Sequence, residues 1–274
     1  MTGFDLGPAL LFCPADRPDR FDKAIRRADA VILDLEDAVR PADKRAARDA
    51  ITSHPLDPTR TVVRVNPAGT PDFAEDLVAL ARTDYRWVML PKTESAADVA
   101  ALGDRYGVIA LCETAAGVLA APEIARVDSV RALMWGAEDL LASLGGTSSR
   151  HADGSYRQVA RHARSHVLLA AGAAGKTAID SVYLDIADLD GLHAEVADAV
   201  ASGFSATACI HPTQVPTIRD AFLPDEAQIE GAEALLTAAE TEQGVFRFRG
   251  RMVDEPALRH ARSILRLRAK NDEN

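Results

Sequence analysis

The chain has no run approaching the ~18 uninterrupted apolar residues of a membrane span, and Met1 to Pro14 has neither a basic start nor a small-residue cleavage site. These absences point to a cytoplasmic protein that does not engage membranes. Clustered positive charge is also missing. With 31 Lys and Arg against 41 Asp and Glu, the net charge of −10 repels nucleic acid and anionic lipid, so any anionic ligand must be met by a few placed cations. Cysteine is scarce: Cys13, Cys112 and Cys209 form no CxxC pair, and each lies in an apolar run. Small, reduced, buried thiols are expected rather than a disulfide framework or a catalytic thiol. No GxGxxG follows the first strand-like run, and Leu144-Gly145-Gly146-Thr147 lacks the GK[ST] of a phosphate-binding loop, so it reads as a flexible loop.

What the chain does have is 274 residues, 47% of them apolar, enough for one continuous core. Eight short apolar or β-branched runs recur: Ala9 to Cys13, Ala30 to Leu35, Thr61 to Val65, Arg86 to Leu90, Val108 to Cys112, Arg131 to Trp135, Ala178 to Leu184 and Ala206 to Ile210. Stretches with helical spacing alternate with them, among them Lys44 to Ile51, Phe73 to Arg82, Ala115 to Ala125 and Tyr156 to Ala173. Continuous apolar strands covered by helices imply a parallel sheet, and eight such units close into a (β/α)₈ TIM barrel, here residues 1–223. A doubly wound open sheet is the alternative. Residues 224–274 add helical segments, Ala227 to Ala239 and Ala257 to Leu267, around an irregular stretch from Gly244 to Glu255.

A barrel carries its chemistry on the loops leaving the C-terminal strand ends. Those ends read Pro14-Ala15-Asp16-Arg17, Glu36-Asp37, Arg64 with Asn66, Pro91-Lys92, Glu113-Thr114, Gly136-Ala137-Glu138-Asp139, Asp185 and His211-Pro212. Glu36, Asp37, Glu113, Glu138 and Asp139 crowded into one mouth need a counter-cation. Oxygen-only ligands favour Mg²⁺ or Mn²⁺ over Zn²⁺, and Glu113 and Asp139, ending consecutive strands, are the best direct ligands. Glu36 and Asp37 would act on the ion through water. The competing reading has these acids capping helices or pairing with Arg64 and Lys92. Arg64 can fork onto a carboxylate or a developing enolate oxygen, with a structural salt bridge as its alternative. Asp34, inside its strand, is ambiguous. The backbone N–H groups of Gly136 and Ala137 open a helix and suit a small substrate carboxylate. His211 reads as a hydrogen-bonded strand-end histidine.

The segments LFCPADRPDRFDKA, VILDLEDAV, VVRVN, VMLPKTES, LCETAAGV, MWGAEDL, CIHPTQV and FRGRMVDEP, in that order, resemble the citrate lyase beta-subunit-like group of the HpcH/HpaI aldolase superfamily. The resemblance implies a (β/α)₈ barrel holding Mg²⁺ through Glu113 and Asp139, with Arg64 on the keto-acid and thioester oxygens. It implies that the PADRP segment, with Pro14 and Arg17, and Lys23 hold coenzyme A. It also implies that Asp254, in Met252-Val253-Asp254-Glu255-Pro256, is the catalytic acid/base and that residues 224–274 close over a neighbouring subunit's barrel, in a homotrimer or hexamer. On composition alone, Asp254 before Pro256 reads as a helix cap. The implied activity is Mg²⁺-dependent making or breaking of a carbon–carbon bond in a 3-hydroxyacyl-CoA, with acetyl-CoA and a small 2-oxo acid as the partners. Thioester hydrolysis at the same site, or a carrier-protein-dependent citrate lyase subunit, are the rival activities.

Overall fold

A computed structural model describes residues 4–242 and 244–272. The chain forms two compact units, Met1–Ile218 and Arg219–Asn274. In the first, eight parallel strands close into a barrel in sequence order: β1 (Ala9–Pro14), β2 (Ala30–Asp34), β3 (Thr61–Arg64), β4 (Trp87–Leu90), β5 (Gly107–Cys112), β6 (Val130–Trp135), β7 (Thr177–Asp180) and β8 (Ala206–Cys209). β8 pairs with β1 through Ala9 opposite Thr207, which completes the ring. All eight expected strands are present. The open-sheet alternative is excluded because a closed ladder leaves no free edge.

Helix starts follow the local chemistry. Thr70 accepts from the Phe73 N–H ahead of Pro71 in helix Pro71–Leu80, and Ser95 and Asp98 form a reciprocal capping box on helix Ala96–Ala100. Outside faces of the strands, such as Val31, Leu33 and Val63, are buried under the surrounding helices. Inside, alternate residues build the core: Leu10, Ile32, Val62, Met89, Ile109, Leu111, Met134 and Ile179, with Phe12 and Val182 packed against them. Two-residue periodicity carries the inward direction on to Asp34, Arg64, Glu113, Gly136 and Ser181 at the strand ends. The functional mouth is therefore the next layer of the barrel's own core.

Strand seven ends earlier than its apolar sequence suggests. Asp180 accepts from Trp135 Nε1 (2.6 Å) and from Arg164 Nη2 (2.7 Å), and the chain leaves the sheet there; Asp185 is exposed, away from the strand end. None of the three cysteines forms a disulfide, and all are buried. Burial pushes the Cys13 and Cys112 thiols up to about 11 and about 12, so neither is a nucleophile at neutral pH.

The second unit holds helices Glu226–Ala239 and Glu255–Asp272 joined by a hairpin of β9 (Phe246–Phe248) and β10 (Arg251–Val253). The stretch expected to be irregular thus contains a two-stranded ribbon, turned by Arg249 and Gly250, both with positive φ. Among the described residues, no helix is long and apolar enough to cross a membrane.

Candidate active site

The parallel register sets Asp34 beside Arg64 on adjacent strands. Asp34 takes the guanidinium as a fork, Nε to Oδ1 at 2.8 Å and Nη2 to Oδ2 at 2.6 Å, and also accepts from the Glu36 N–H at 2.9 Å. Arg64 Nη1 lies 2.9 Å from Glu36 Oε2, although that buried oxygen makes no hydrogen bond of good geometry. The guanidinium carbon stands 4.9 Å from the Phe12 ring centre. Burial disfavours the charged guanidinium, but Asp34, Glu36 and Glu113 around it hold its pKa above the ordinary value.

Lys44 fixes the turn after β2 from below. Its buried ammonium donates to the carbonyls of Leu35 (2.8 Å) and Glu36 (3.1 Å) and to Asn66 Oδ1 (2.6 Å), while Asn66 Nδ2 donates to Asp76. Glu36 is thereby held facing the mouth, where Lys92 pairs with it. Burial raises the Glu36 pKa, with Arg64 and Lys92 pulling against the rise.

Lys92 has the left-handed φ of 48° directly after β4. From there its N–H donates to Glu113 Oε1 at 3.1 Å, and its ammonium reaches Asp37 Oδ2 at 3.1 Å and Asp139 Oδ1 at 3.4 Å. Burial opposes the ammonium charge, yet Glu36, Glu113 and Asp139 keep its pKa above the usual lysine range.

Glu113 is 3% exposed. Burial, then the charges of Asp139 and Glu36, push its carboxyl up to about 8 against the pull of Arg64 and Lys92. A Cβ at position 136 would lie 2.7 Å from Glu113 Oε2, so only glycine allows the carboxylate to rest there. Gly136 starts the short helix Ala137–Ser143, which carries Glu138 and Asp139 in its first turn. Ser149 donates to Glu138, and a cavity of about 280 Å³ opens among Phe12, Pro14, Arg64, Glu113, Gly136 and Asp139.

The mouth thus gathers Pro14, Arg64, Glu113, Gly136, Ala137 and Asp139 around one cavity, with Glu36 and Asp37 joined to it through Lys92. A buried carboxyl whose ionisation is opposed by two neighbouring acids suits a divalent cation. Among the described residues no three His, Cys, Asp or Glu side chains converge as a closed cage. An ion of the Mg²⁺ type needs one or two carboxylates and completes its shell with water and substrate oxygens, a donor set that Glu113 and Asp139 fit.

Other expected residues lie elsewhere. Arg17 is exposed and paired with Asp19 (2.9 Å), and Lys23 is exposed on helix Phe21–Arg27; neither lines the cavity. Asp254, in the second unit, caps helix Glu255–Asp272, its Oδ1 accepting from the Ala257 N–H at 3.2 Å. Lys92 and Asp34 are the residues that strand-end position undervalues. The usable signal was an acid inside an apolar strand two residues before Glu36, and a cation at the mouth wherever several acids meet.

Comparison with known proteins identifies the family. The family model described as HpcH/HpaI aldolase/citrate lyase matches residues 9–212. A citrate lyase subunit beta-like protein of Mycobacterium tuberculosis is 57% identical over 260 residues, 95% of each chain. A (3S)-malyl-CoA thioesterase of Cereibacter sphaeroides is 35% identical, covering 94% of this chain and 93% of that protein. A crystal structure of CitE from Mycobacterium tuberculosis, in complex with magnesium, acetoacetate and coenzyme A, is 57% identical with a TM-score of 0.94, covering 96% of this chain and 98% of that one. Sequence, barrel and strand-end chemistry converge, and the chain belongs to the HpcH/HpaI aldolase/citrate lyase family.

Proposed function

We propose that the chain is a Mg²⁺-dependent carbon–carbon lyase, working also as a synthase, on a 3-hydroxyacyl-CoA thioester. The observation that carries this reading is the buried carboxyl of Glu113, raised to about 8 and sharing a cavity with Asp139 and Arg64. Glu113 and Asp139 would hold the ion, which when bound supplies a Lewis acid facing the carboxylate and oxo oxygens of a small oxo acid. The magnesium, acetoacetate and coenzyme A bound to the related CitE support this composition of the site.

Arg64, fixed by its fork onto Asp34, presents positive charge to an oxyanion that forms in the cavity. The N–H groups of Gly136 and Ala137 orient the substrate carboxylate. In the synthetic direction Asp254 removes a proton from the methyl of an acetyl thioester, and the resulting enolate carbon adds to the oxo carbon of the acid. In synthesis the alkoxide formed on the former oxo oxygen takes a proton from solvent; in cleavage the hydroxyl proton leaves to solvent as the same bond breaks, and protonated Asp254 gives a proton to the enolate carbon. At about 280 Å³ the cavity has room for the short acyl end alone, so the nucleotide of coenzyme A lies outside it, where exposed Arg17 and Lys23 are available. Delivery of Asp254 from a neighbouring copy, in a cytoplasmic homotrimer or hexamer, follows from the family resemblance, and three buried cysteines outside any disulfide support a reducing compartment.

Hydrolysis of the same thioester is the second reading, favoured by the similarity to a malyl-CoA thioesterase. Incubating the purified chain with malyl-, citramalyl-, citryl- and 3-hydroxy-3-methylglutaryl-CoA, with Mg²⁺ or with EDTA, tests both. Acetyl-CoA plus an oxo acid identifies the lyase, and free coenzyme A plus intact hydroxy acid the hydrolase. Turnover that survives chelation unchanged would refute the metal-dependent site.

A further inference from the structure

We infer that Asn66 is a positioning residue for the reaction: its side-chain amide ties the backbone that carries Glu36 to the strand that carries Arg64, and turnover depends on that tie. The inference rests on the function proposed above and adds a buried residue that is not among those lining the cavity.

The ladder between β2 and β3 runs out where the mouth begins. Asp34 and Arg64 are its last pair in register, and the Leu35 N–H donates to the Arg64 carbonyl at 2.9 Å. In a parallel pair the next bond would run from the Asn66 N–H to the Leu35 carbonyl. That N–H donates instead to Asp76 Oδ2 at 2.7 Å, and the Asn66 side chain makes the missing bond, Nδ2 to the Leu35 carbonyl at 3.1 Å. Glu36 is the next residue. Its carbonyl accepts from Lys44, and its carboxylate stands between Lys92 and Arg64 Nη1.

The amide is interposed between two buried charges. Oδ1 accepts from the Lys44 ammonium at 2.6 Å, and Nδ2 donates to Asp76 Oδ2 at 2.7 Å, while the other Asp76 oxygen takes Arg48 Nε at 2.7 Å. Lys44 and Asp76 in direct contact would neutralise each other with no amide between them. What the interposed side chain adds is the bond to Leu35. Its orientation is also fixed, because turning the amide over would set its NH₂ against an ammonium and its oxygen against a carboxylate. Glu36 is therefore carried on backbone held rigidly relative to Arg64, and small displacements of groups that face a reacting oxyanion are costly in rate.

The test is steady-state kinetics of Asn66→Ala, Asn66→Ser, Glu36→Gln and the two double variants on the thioester that the parent cleaves, with circular dichroism showing that each is folded at the assay temperature. Serine is the gentler change, since it keeps a small polar group but does not reach the Leu35 carbonyl. Each Asn66 variant should lower kcat by about 10- to 100-fold while KM stays within about threefold. The readout that a merely structural role would not move is the coupling to Glu36. In the Glu36→Gln chain, where the carboxylate served by the tie is gone, the same Asn66 substitutions should cost less than about threefold more in kcat. Fully additive losses overturn the inference, and so does a lower melting temperature with unchanged kcat. Failure of both Asn66 variants to fold also overturns it, because Asn66 is then a structural residue, and so does Glu36→Gln turning over like the parent. In each of those cases the parent's own turnover leaves the proposed function standing, whereas a parent that cleaves no thioester overturns that function and the inference with it.

Discussion

Lys92 holds Glu113 through its backbone, donating its N–H to Oε1 at 3.1 Å from a left-handed conformation that few non-glycine residues adopt. The same residue sends its ammonium to Glu36, Asp37 and Asp139, so backbone and side chain together brace the acidic mouth. Replacing Lys92 by Met should have two effects of opposite sign. The metal-free chain should melt at a lower temperature, because three carboxylates lose their counter-charge. Mg²⁺ should bind at least as tightly, because a competing positive charge is gone. Melting curves with EDTA and with saturating Mg²⁺ measure both, and a fall in metal affinity would show that Lys92 orients the ligands more than it competes with the ion.

Glu113 couples metal binding to pH. Its folded-state pKa, about 8, lies above the ordinary 4.5. A carboxyl raised in this way binds more protons folded than unfolded, so the metal-free chain loses stability as pH rises from about 4.5 to about 8 and loses no more beyond that. Mg²⁺ requires the ionised form, so its affinity should rise by up to about tenfold per pH unit below pH ~8, with release of a proton. Titrations at pH 6, 7 and 8 in buffers of different ionisation enthalpy measure both the affinity and the proton. A flat affinity would place the ion away from Glu113. Glu113→Gln should abolish the pH dependence, weaken Mg²⁺ binding strongly, and leave the metal-free chain more stable than the parent at pH 8.

Gly136→Ala is a steric counterpart to that experiment. The added Cβ would fall 2.7 Å from Glu113 Oε2 and 2.9 Å from Glu113 Cβ, so the carboxylate must move. Because the displacement is local to the mouth, the barrel should keep its melting temperature within a few degrees while Mg²⁺ affinity falls by about tenfold or more. A large loss of stability with unchanged metal affinity would mean that the helix start yields and Glu113 does not.

How much of this was legible in the sequence depends on which force fixed each part. All eight strands were visible because a barrel strand is buried on both faces, which leaves a continuous apolar run. The end of β7 was not, since Val182 and Leu184 prolong the apolar pattern, whereas what stops the strand is a long-range pairing of Asp180 with Trp135 and Arg164. The β9–β10 ribbon was hidden for a similar reason: arginine alternates with phenylalanine and methionine there, and among its side chains only Val253 is buried. In the mouth, Arg64, Glu113 and Asp139 could be located by strand-end position. Lys92 was legible as a partner for these acids, but which acids it and Arg64 would hold was not, because a fork across adjacent strands and a left-handed backbone depend on register and turn geometry. Asp254 shows the reverse case, a residue whose local geometry is that of the helix cap its sequence suggests, while its proposed chemistry needs a partner outside its own unit.

That double duty makes Asp254 separable by choice of substitution. Asn retains the oxygen that accepts from the Ala257 N–H and caps helices about as well as Asp, but it cannot take a proton at neutral pH. Ala removes both functions. If Asp254 is the acid/base, Asp254→Asn should lower kcat by about 10²–10⁴-fold with Mg²⁺ affinity and melting temperature unchanged. Asp254→Ala should show the same kinetic loss plus about 1 kcal/mol of destabilisation in the second unit. Exchange of the acetyl-CoA methyl protons with deuterated solvent, followed by NMR in the presence of Mg²⁺ and a non-reactive oxo-acid analogue, should disappear in both variants. Should Asp254→Asn exchange and turn over like the parent while only Asp254→Ala is impaired, the residue is a cap and the proton is carried by another group.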